Sequence, residues 1–265
     1  MQVIRILGNI TMTNPKITVV ISIYNAGVFL RACLESVIRQ TMTDIEIICI
    51  DDCSTDECPT ILKEYLRKNE RIRVIWHERN EGIVESRKQG VLAARAHYLM
   101  FLDGDDELVP HACLSAYNAI VERKTDVVYF GTRIVNSEGS DEQSEEAKSL
   151  YEKLTYSDNE CVDDNLLSLC KNGGWEKIFW MPWNKIYQTD LLKAAFQELN
   201  ANGMSVAEDV YLFAVFGYFV KSYSLIEDPL YLYRWGGLST RHTMQKYVSF
   251  LYFQKQLETK KPMML

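Results

Sequence analysis

The sequence predicts an α/β fold in which a mostly parallel sheet is flanked by helices, and three observations carry the prediction. Short β-branched apolar runs alternate with segments of helical spacing through the first hundred residues. The alternation reads β-α-β-α-β-α-β, the order that gives a parallel sheet with right-handed crossovers. Each apolar run ends in polar or acidic residues, so one rim of the sheet gathers them, and ligands of such folds bind outside the carboxyl ends of the strands.

"KITVVISIY" (16–24) is the first buried strand and ends at Tyr24-Asn25. "AGVFLRACLESVIRQT" (26–41) has apolar residues at 30, 33, 34, 37 and 38, a helical spacing. "IEIICID" (45–51) is the second strand and ends at Asp51-Asp52. "STDECPTILKEYLRK" (54–68) opens with capping residues and carries Pro59 in its first turn, so it reads as a helix. "IRVIWHE" (72–78) is the third strand and leads to "ERNEG"; "GIVESRKQGVLAARA" (82–96) is the third helix. "YLMFLD" (98–103) is the fourth strand and runs into Gly104, Asp105, Asp106 and Glu107. Beyond it the pattern is less regular. A helix over 111–124, a strand over 126–135, a polar stretch over 136–160 read as a surface loop with a substrate lid the alternative, a Trp- and Gly-rich segment over 172–192, a helix over 204–220 and a strand from 229 leading to a Gly-rich turn complete the reading.

The bulk numbers set bounds. A chain of 265 residues, 47% hydrophobic and 25% charged, can bury a substantial core in one large domain or two small ones. A net charge of −7 argues against nucleic acid as a partner. Seven cysteines, an odd number with no CxxC pair among Cys49, Cys53 and Cys58, read as free thiols of a reducing cytosol rather than a disulfide framework or zinc site. The expected location is therefore cytoplasmic. No apolar run reaches the roughly 18–20 residues that span a bilayer, and Met1 to Asn14 has no signal-peptide pattern. Residues 1–14 read as an N-terminal extension, with Met12 an alternative start.

The chemistry concentrates in three acidic groups. Four carboxylates between Asp103 and Glu107 raise one another's pKa, and Asp103 and Asp105 stand too far before Pro110 to cap the helix that follows. Hard divalent cations such as Mn²⁺ and Mg²⁺ prefer oxygen ligands and are often held by one or two carboxylates plus substrate phosphates. Asp51 and Asp52 form a second pair, where Ser54, Thr55 or Asp56 could serve simply to cap the next helix while a carboxylate accepts hydrogen bonds from a base or ribose. Glu208-Asp209 opens a helix, where the macrodipole favours negative charge and where a carboxylate could equally act as a general base. No Walker A loop, GxGxxG, GxSxG or HExxH pattern is present.

"VVISIYNAGVFLRACLESVIRQT", "IICIDDCSTD", "NEGIVESRKQG", "YLMFLDGDDEL", "WNKIYQTDLL" and "AEDVYLF" occur in that order. Together they resemble the bacterial family 2 glycosyltransferases, over roughly residues 15–240. The resemblance implies a GT-A, Rossmann-like sheet with an irregular C-terminal acceptor-binding half. It implies inverting transfer of a sugar from a nucleotide-sugar donor, usually a UDP-sugar, to a saccharide, lipid-linked saccharide or glycoprotein glycan in surface polysaccharide or glycan synthesis. Carried over residue by residue, Tyr24 lines the nucleotide pocket, Asp52 (or Asp51) reads the uracil, and Arg87 faces the nucleotide. Asp103 contacts ribose or metal, and Asp105 ligates Mn²⁺ or Mg²⁺ with Asp106 as a helper. Lys185 lies near the donor sugar, Trp183, Asn184 and Glu208 near the acceptor, and Asp209 matches the catalytic base.

The sequence departs from the family in Cys53, where many relatives have Gly, and in Gly104, where many have Ser or Ala. "RWGGLSTRHT" resembles the loop that closes over the diphosphate, with Arg241 or His242 contributing. The expected division is 15–110 for the donor half, 111–243 for the acceptor half and 244–265 for a C-terminal helix whose Lys246, Lys255, Lys260 and Lys261 leave peripheral membrane contact open. "VYLFAVFGYFV" reads as core, with a subunit interface the alternative, so the oligomeric state is left open. A non-catalytic nucleotide-sugar-binding protein is the second reading, disfavoured by the intact Glu208-Asp209 pair. A DxD phosphatase is excluded because its motif follows the first strand.

Overall fold

The structure is a computed structural model that describes residues 5–7, 14–136, 181–198, 208–235 and 237–238. The elements, in chain order, are β1 (Arg5–Leu7), β2 (Ile17–Ile23), α1 (Gly27–Ile38), β3 (Ile45–Asp51), α2 (Cys58–Lys68), β4 (Ile72–Trp76), α3 (Ile83–Ala93), β5 (Tyr98–Asp103), β6 (Glu107–Leu108), α4 (Ala112–Arg123), β7 (Val127–Asn136), β8 (Lys185–Gln188), α5 (Thr189–Glu198), α6 (Glu208–Phe219) and β9 (Tyr223–Trp235). Among the described residues the strands form one nine-stranded sheet in the order β1-β4-β3-β2-β5-β8-β7-β9-β6.

The expected parallel unit is present. β3 and β5 pair parallel to either side of β2, and β4 pairs parallel to β3. The chain winds outward from β2 through β3 to β4, then returns to place β5 on the other flank of β2. That reversal is the topological switch point at which such sheets open a crevice. The strands on both sides of it are buried along their length, which is why they read as continuous apolar runs rather than alternating ones. The second half extends the sheet with antiparallel β8 against β5 and β7, and with β9 parallel to β7.

Four elements were not legible as such: β1, β6, β8 and α5. β1 adds an antiparallel strand to β4 from within the expected extension. β8 and α5 occupy the end of the segment read only as Trp- and Gly-rich, and the strand expected from 229 begins at Tyr223. α2 starts four residues later than expected, because residues 54–57 turn back to hold the loop after β2. Asp56 accepts hydrogen bonds from Gly27 N (2.8 Å) and Cys58 N (2.9 Å), so one carboxylate caps α1 and α2 together. The polar stretch beyond residue 136 and the C-terminal basic face lie outside the described residues. Among the described residues no helix is long and apolar enough to cross a membrane.

Two contacts fix the layers. α3 lies so close to the sheet that a Cβ on Gly90 would stand 2.3 Å from Val20 Cγ1 and 3.0 Å from Ile50 Cδ1. At the far end from the crevice, buried Glu46 accepts hydrogen bonds from Thr18 (2.9 Å), Arg73 (2.7 Å) and Arg95 (2.7 Å), tying β2, β3, β4 and the turn after α3. Burial alone would raise the Glu46 carboxyl, but these bonds outweigh it and hold it below the usual carboxylate range. Glu46→Gln is expected to cost about 3–5 kcal/mol, because it leaves buried guanidinium charge uncompensated. The wild type is expected to lose that part of its stability as pH falls below the unfolded carboxyl value, about 4.3. Urea unfolding of both proteins across that range measures the difference, which should shrink as the carboxyl protonates.

Candidate active site

The crowded acidic turn after β5 sorts its carboxylates into different surroundings. Gly104 N bonds Ser22 O (3.0 Å) and Asp106 N bonds Asp103 O (3.0 Å), turning the chain at once into β6, which pairs with β9. Asp106 is buried and accepts from Tyr231 Oη (2.6 Å) and Arg234 N (2.7 Å). Glu107 pairs with the Arg234 guanidinium, and Arg234 Nε donates to Asp105 O (2.9 Å). These two acids therefore bind the turn to the end of β9. Asp105 Oδ2 accepts from Leu238 N (2.7 Å), just past the end of β9. The chain passes so close there that a Cβ on Gly237 would lie 2.4 Å from that oxygen. Burial, then the charge of Asp103, pushes the Asp105 carboxyl up; burial and Asp105 push Asp106 well up.

Asp103, the last residue of β5, is 23% exposed at its side chain, and its Oδ1 accepts from Arg87 Nη2 (3.2 Å). Arg87, on α3, is 2% exposed and donates from Nη1 to Asp209 Oδ1 (2.8 Å). Asp209 stands in the first turn of α6 with its side chain 18% exposed. One guanidinium thus joins the DxD segment of the first half to the acid of the second. The Glu208 side chain, Arg241 and His242 lie outside the described residues.

The other acidic pair lies on the neighbouring strand ends. Register sets Ile23 beside Asp51, and Asp51 beside Trp76. Asp52 Oδ1 accepts from His77 Nδ1 (2.7 Å) and Glu81 N (2.7 Å), and Oδ2 from Gly82 N (2.8 Å). Its Oδ1 is filled, while Oδ2 keeps acceptor capacity. Asp51 is buried, which raises its carboxyl, and accepts from Ser54 N (3.3 Å). Asn25 and Cys53 both take positive φ (51° and 61°). Asn25 N donates to Ser54 Oγ (3.0 Å) and Thr55 N to Asn25 Oδ1 (2.8 Å), which zips the two loops and leaves the Tyr24 ring 48% exposed at the rim.

The segment expected near donor sugar and acceptor is buried. Trp183 stacks on Tyr231 (ring centroids 4.5 Å apart) and Tyr233 (5.5 Å). Asn184 Nδ2 donates to Phe130 O (3.4 Å). Lys185 Nζ donates to Asn184 Oδ1 (2.8 Å) and to Met181 O, and lies 4.4 Å from the Tyr129 ring centroid. Burial pushes the Lys185 ammonium well down, and the charge of Asp209 opposes that. These three side chains form the wall behind the site. Sequence reasoning missed His77, Tyr231 and Arg234. A lone arginine inside the apolar run "YLYRW" was the available signal for the last of these.

The different surroundings of Asp105 and Asp106 predict opposite effects on the ligand-free protein. Asp105→Asn keeps an acceptor for Leu238 N and removes a disfavoured charge, so it should melt at or above the wild-type temperature. Asp106→Ala strands the Tyr231 hydroxyl and Arg234 N–H, at about 1–3 kcal/mol for each buried group left unpaired. Thermal melts of the three proteins check this.

Residues 18–173 match the model of the family described as glycosyl transferase family 2. The putative glycosyltransferase EpsH of Bacillus subtilis is 30% identical over 224 residues, which cover 84% of this chain and 62% of that protein. The poly(ribitol-phosphate) beta-glucosyltransferase of Bacillus spizizenii is 32% identical over 181 residues, 67% of this chain and 26% of that one. The crystal structure of S. aureus TarS 1-349 in complex with UDP-GlcNAc superposes with a TM-score of 0.65 at 24% identity, covering 83% of this chain and 58% of that one, so the two share the GT-A fold. The chain thus spans less than two thirds of each of these proteins. With the family model covering more than half of the chain, and with its motifs gathered on one rim of a GT-A sheet, the protein belongs to glycosyl transferase family 2.

Proposed function

We propose that the protein transfers a sugar, with inversion, from a UDP-sugar to a hydroxyl of a saccharide or lipid-linked saccharide acceptor, in the synthesis of a surface polysaccharide. The observation that carries this reading is the Asp103–Arg87–Asp209 bridge, which sets a DxD carboxylate and a candidate base on opposite arms of one buried side chain. Relatives with glycosyltransferase names and the UDP-GlcNAc complex of TarS support the donor class.

The donor set fits a hard divalent cation, Mn²⁺ or Mg²⁺. Asp103 and Asp105 offer carboxylate oxygens two residues apart, and the charge of one disfavours ionisation of the other. Around the turn, five acids, the four of 103–107 and Asp209, face two guanidiniums, Arg87 and Arg234. When all are ionised, that leaves an excess of three negative charges. Among the described residues no group of three His, Cys, Asp or Glu side chains could hold a metal by itself, so the remaining ligands of such an ion would be diphosphate oxygens. When bound, such an ion neutralises charge on the departing diphosphate.

The chain's own groups supply the rest. The open acceptor position on Asp52 Oδ2 suits the imide N–H of uracil, with Asp51 behind it and the exposed Tyr24 ring beside the base. Asp209 accepts the proton of the acceptor hydroxyl. The hydroxyl oxygen bonds to the anomeric carbon as the bond from that carbon to the diphosphate oxygen breaks, and the electron pair leaves with UDP. A single displacement of this kind inverts the configuration. The aromatic stack of Trp183, Tyr231 and Tyr233 and the buried Lys185 back the site with apolar surface.

Calorimetric titration of UDP should show binding with Mn²⁺ that is lost with EDTA and in Asp105→Ala. Asp209→Asn should bind UDP within about threefold of wild type while lowering turnover about 10²–10⁴-fold, the usual size of a general-base contribution. UDP binding indifferent to both EDTA and Asp105 would remove the cation from the reading. Binding that is intact alongside full activity of Asp209→Asn would remove the base.

A further inference from the structure

Arg87, expected from the family pattern to face the nucleotide, donates to two carboxylates in this structure. Nη1 donates to Asp209 Oδ1 (2.8 Å) and Nη2 to Asp103 Oδ1 (3.2 Å). The guanidinium lies 6.0 Å from the Phe101 ring centroid and is closed off from water. Among the described residues its buried Nε has no hydrogen-bond partner. A guanidinium that only balanced charge would do better to fork onto one carboxylate through Nε and Nη, satisfying two donors in one plane. Instead it gives one arm to each acid and leaves a buried donor unmet, an arrangement that costs stability. What it gains is a fixed relation between the end of β5 and the first turn of α6.

Among the described residues, Arg87 is the one hydrogen-bond partner of the Asp209 carboxylate, and it engages Oδ1. Asp209 is partly exposed, so the oxygen left to an incoming hydroxyl is Oδ2. We propose that Arg87 is a positioning residue that orients Asp209 by holding Oδ1 and presenting Oδ2 to the acceptor, and that ties this orientation to the donor side through Asp103. This inference rests on Asp209 being the base, as read above. Lysine cannot take the place of arginine here, because a single ammonium on a shorter reach cannot span both carboxylates in the plane of a fork.

The test uses UDP release from UDP-GlcNAc, UDP-glucose and UDP-galactose with water as acceptor, together with UDP affinity in Mn²⁺. The donor released fastest by the wild type is carried into Asp209→Asn, Arg87→Lys, the double variant and Asp209→Glu. Arg87→Lys should release UDP about 10²-fold more slowly, the scale of an ångström's misplacement at a reacting group, with UDP affinity within about threefold of wild type. Because Arg87 acts through Asp209, the double variant should be no slower than Asp209→Asn alone. Asp209→Glu keeps the carboxylate but lengthens its arm past the guanidinium, so it should be nearly as slow as Asp209→Asn. This variant also carries the test if Arg87→Lys does not fold. Weakened UDP affinity at unchanged turnover in Arg87→Lys, additive losses in the double variant, or a fast Asp209→Glu would overturn the positioning role. UDP release that ignores Asp209→Asn would instead overturn the base itself, and the inference with it.

Discussion

The parallel register that sets β3 and β5 on either side of β2 governs where every other group can act. Ile23 stands level with Asp51, and Ser22 with Asp103, so the polar residues that follow three strands emerge on one rim. The backbone ladder continues a step beyond the strands, through Asp52 N to Ile23 O and Gly104 N to Ser22 O. Main-chain bonds rather than side-chain contacts thus hold the two acidic motifs apart at a fixed spacing. A slip of one residue would turn each strand's buried set toward the opposite face, and the core of β-branched side chains on both faces makes such a slip prohibitive.

A rim built this way concentrates like charge, and the structure handles it by division of labour. Asp106 and Glu107 are spent on β9 through Tyr231 and Arg234, which closes the second half of the chain onto the first. Asp103 is left partly open, and Asp105 is buried beside its like charge, accepting a hydrogen bond from Leu238 N. Residues that break the rules of good packing in a well-packed neighbourhood mark where function is stored.

The first hundred residues were legible because their elements are local and periodic. Strands buried on both faces and helices with one apolar stripe announce themselves in a single sequence. β8 and α5 were not legible, since Lys185, Asn184 and Trp183 are polar or bulky residues whose burial depends on partners far away: Tyr129, Phe130, and Tyr231 with Tyr233. β1 escaped because three residues at a sheet edge carry too little pattern to register. At the site, the acidic motifs were visible as types, but their sorting was not. Nothing in "DGDDE" says which carboxylate meets Arg234 and which meets Arg87, because that is decided by how β9 and α6 return to the rim.

The same long-range logic connects the two acidic motifs mechanically. Asp52 accepts from Glu81 N and Gly82 N, the backbone that launches α3, so its carboxylate fixes where that helix begins. Gly90, two turns on, lets α3 sink against Val20 and Ile50 of the strands beneath. Arg87 lies between these two anchors and is therefore carried by a helix pinned at its start and pressed to the sheet near its end. The position of its guanidinium, and with it the relation of Asp103 to Asp209, follows from the position of Asp52. A group that engages Asp52 Oδ2 therefore bears on the same helix, α3, that holds Asp209 through Arg87. Residues far apart in the sequence, Asp52 and Asp209, are in this way joined through one helix.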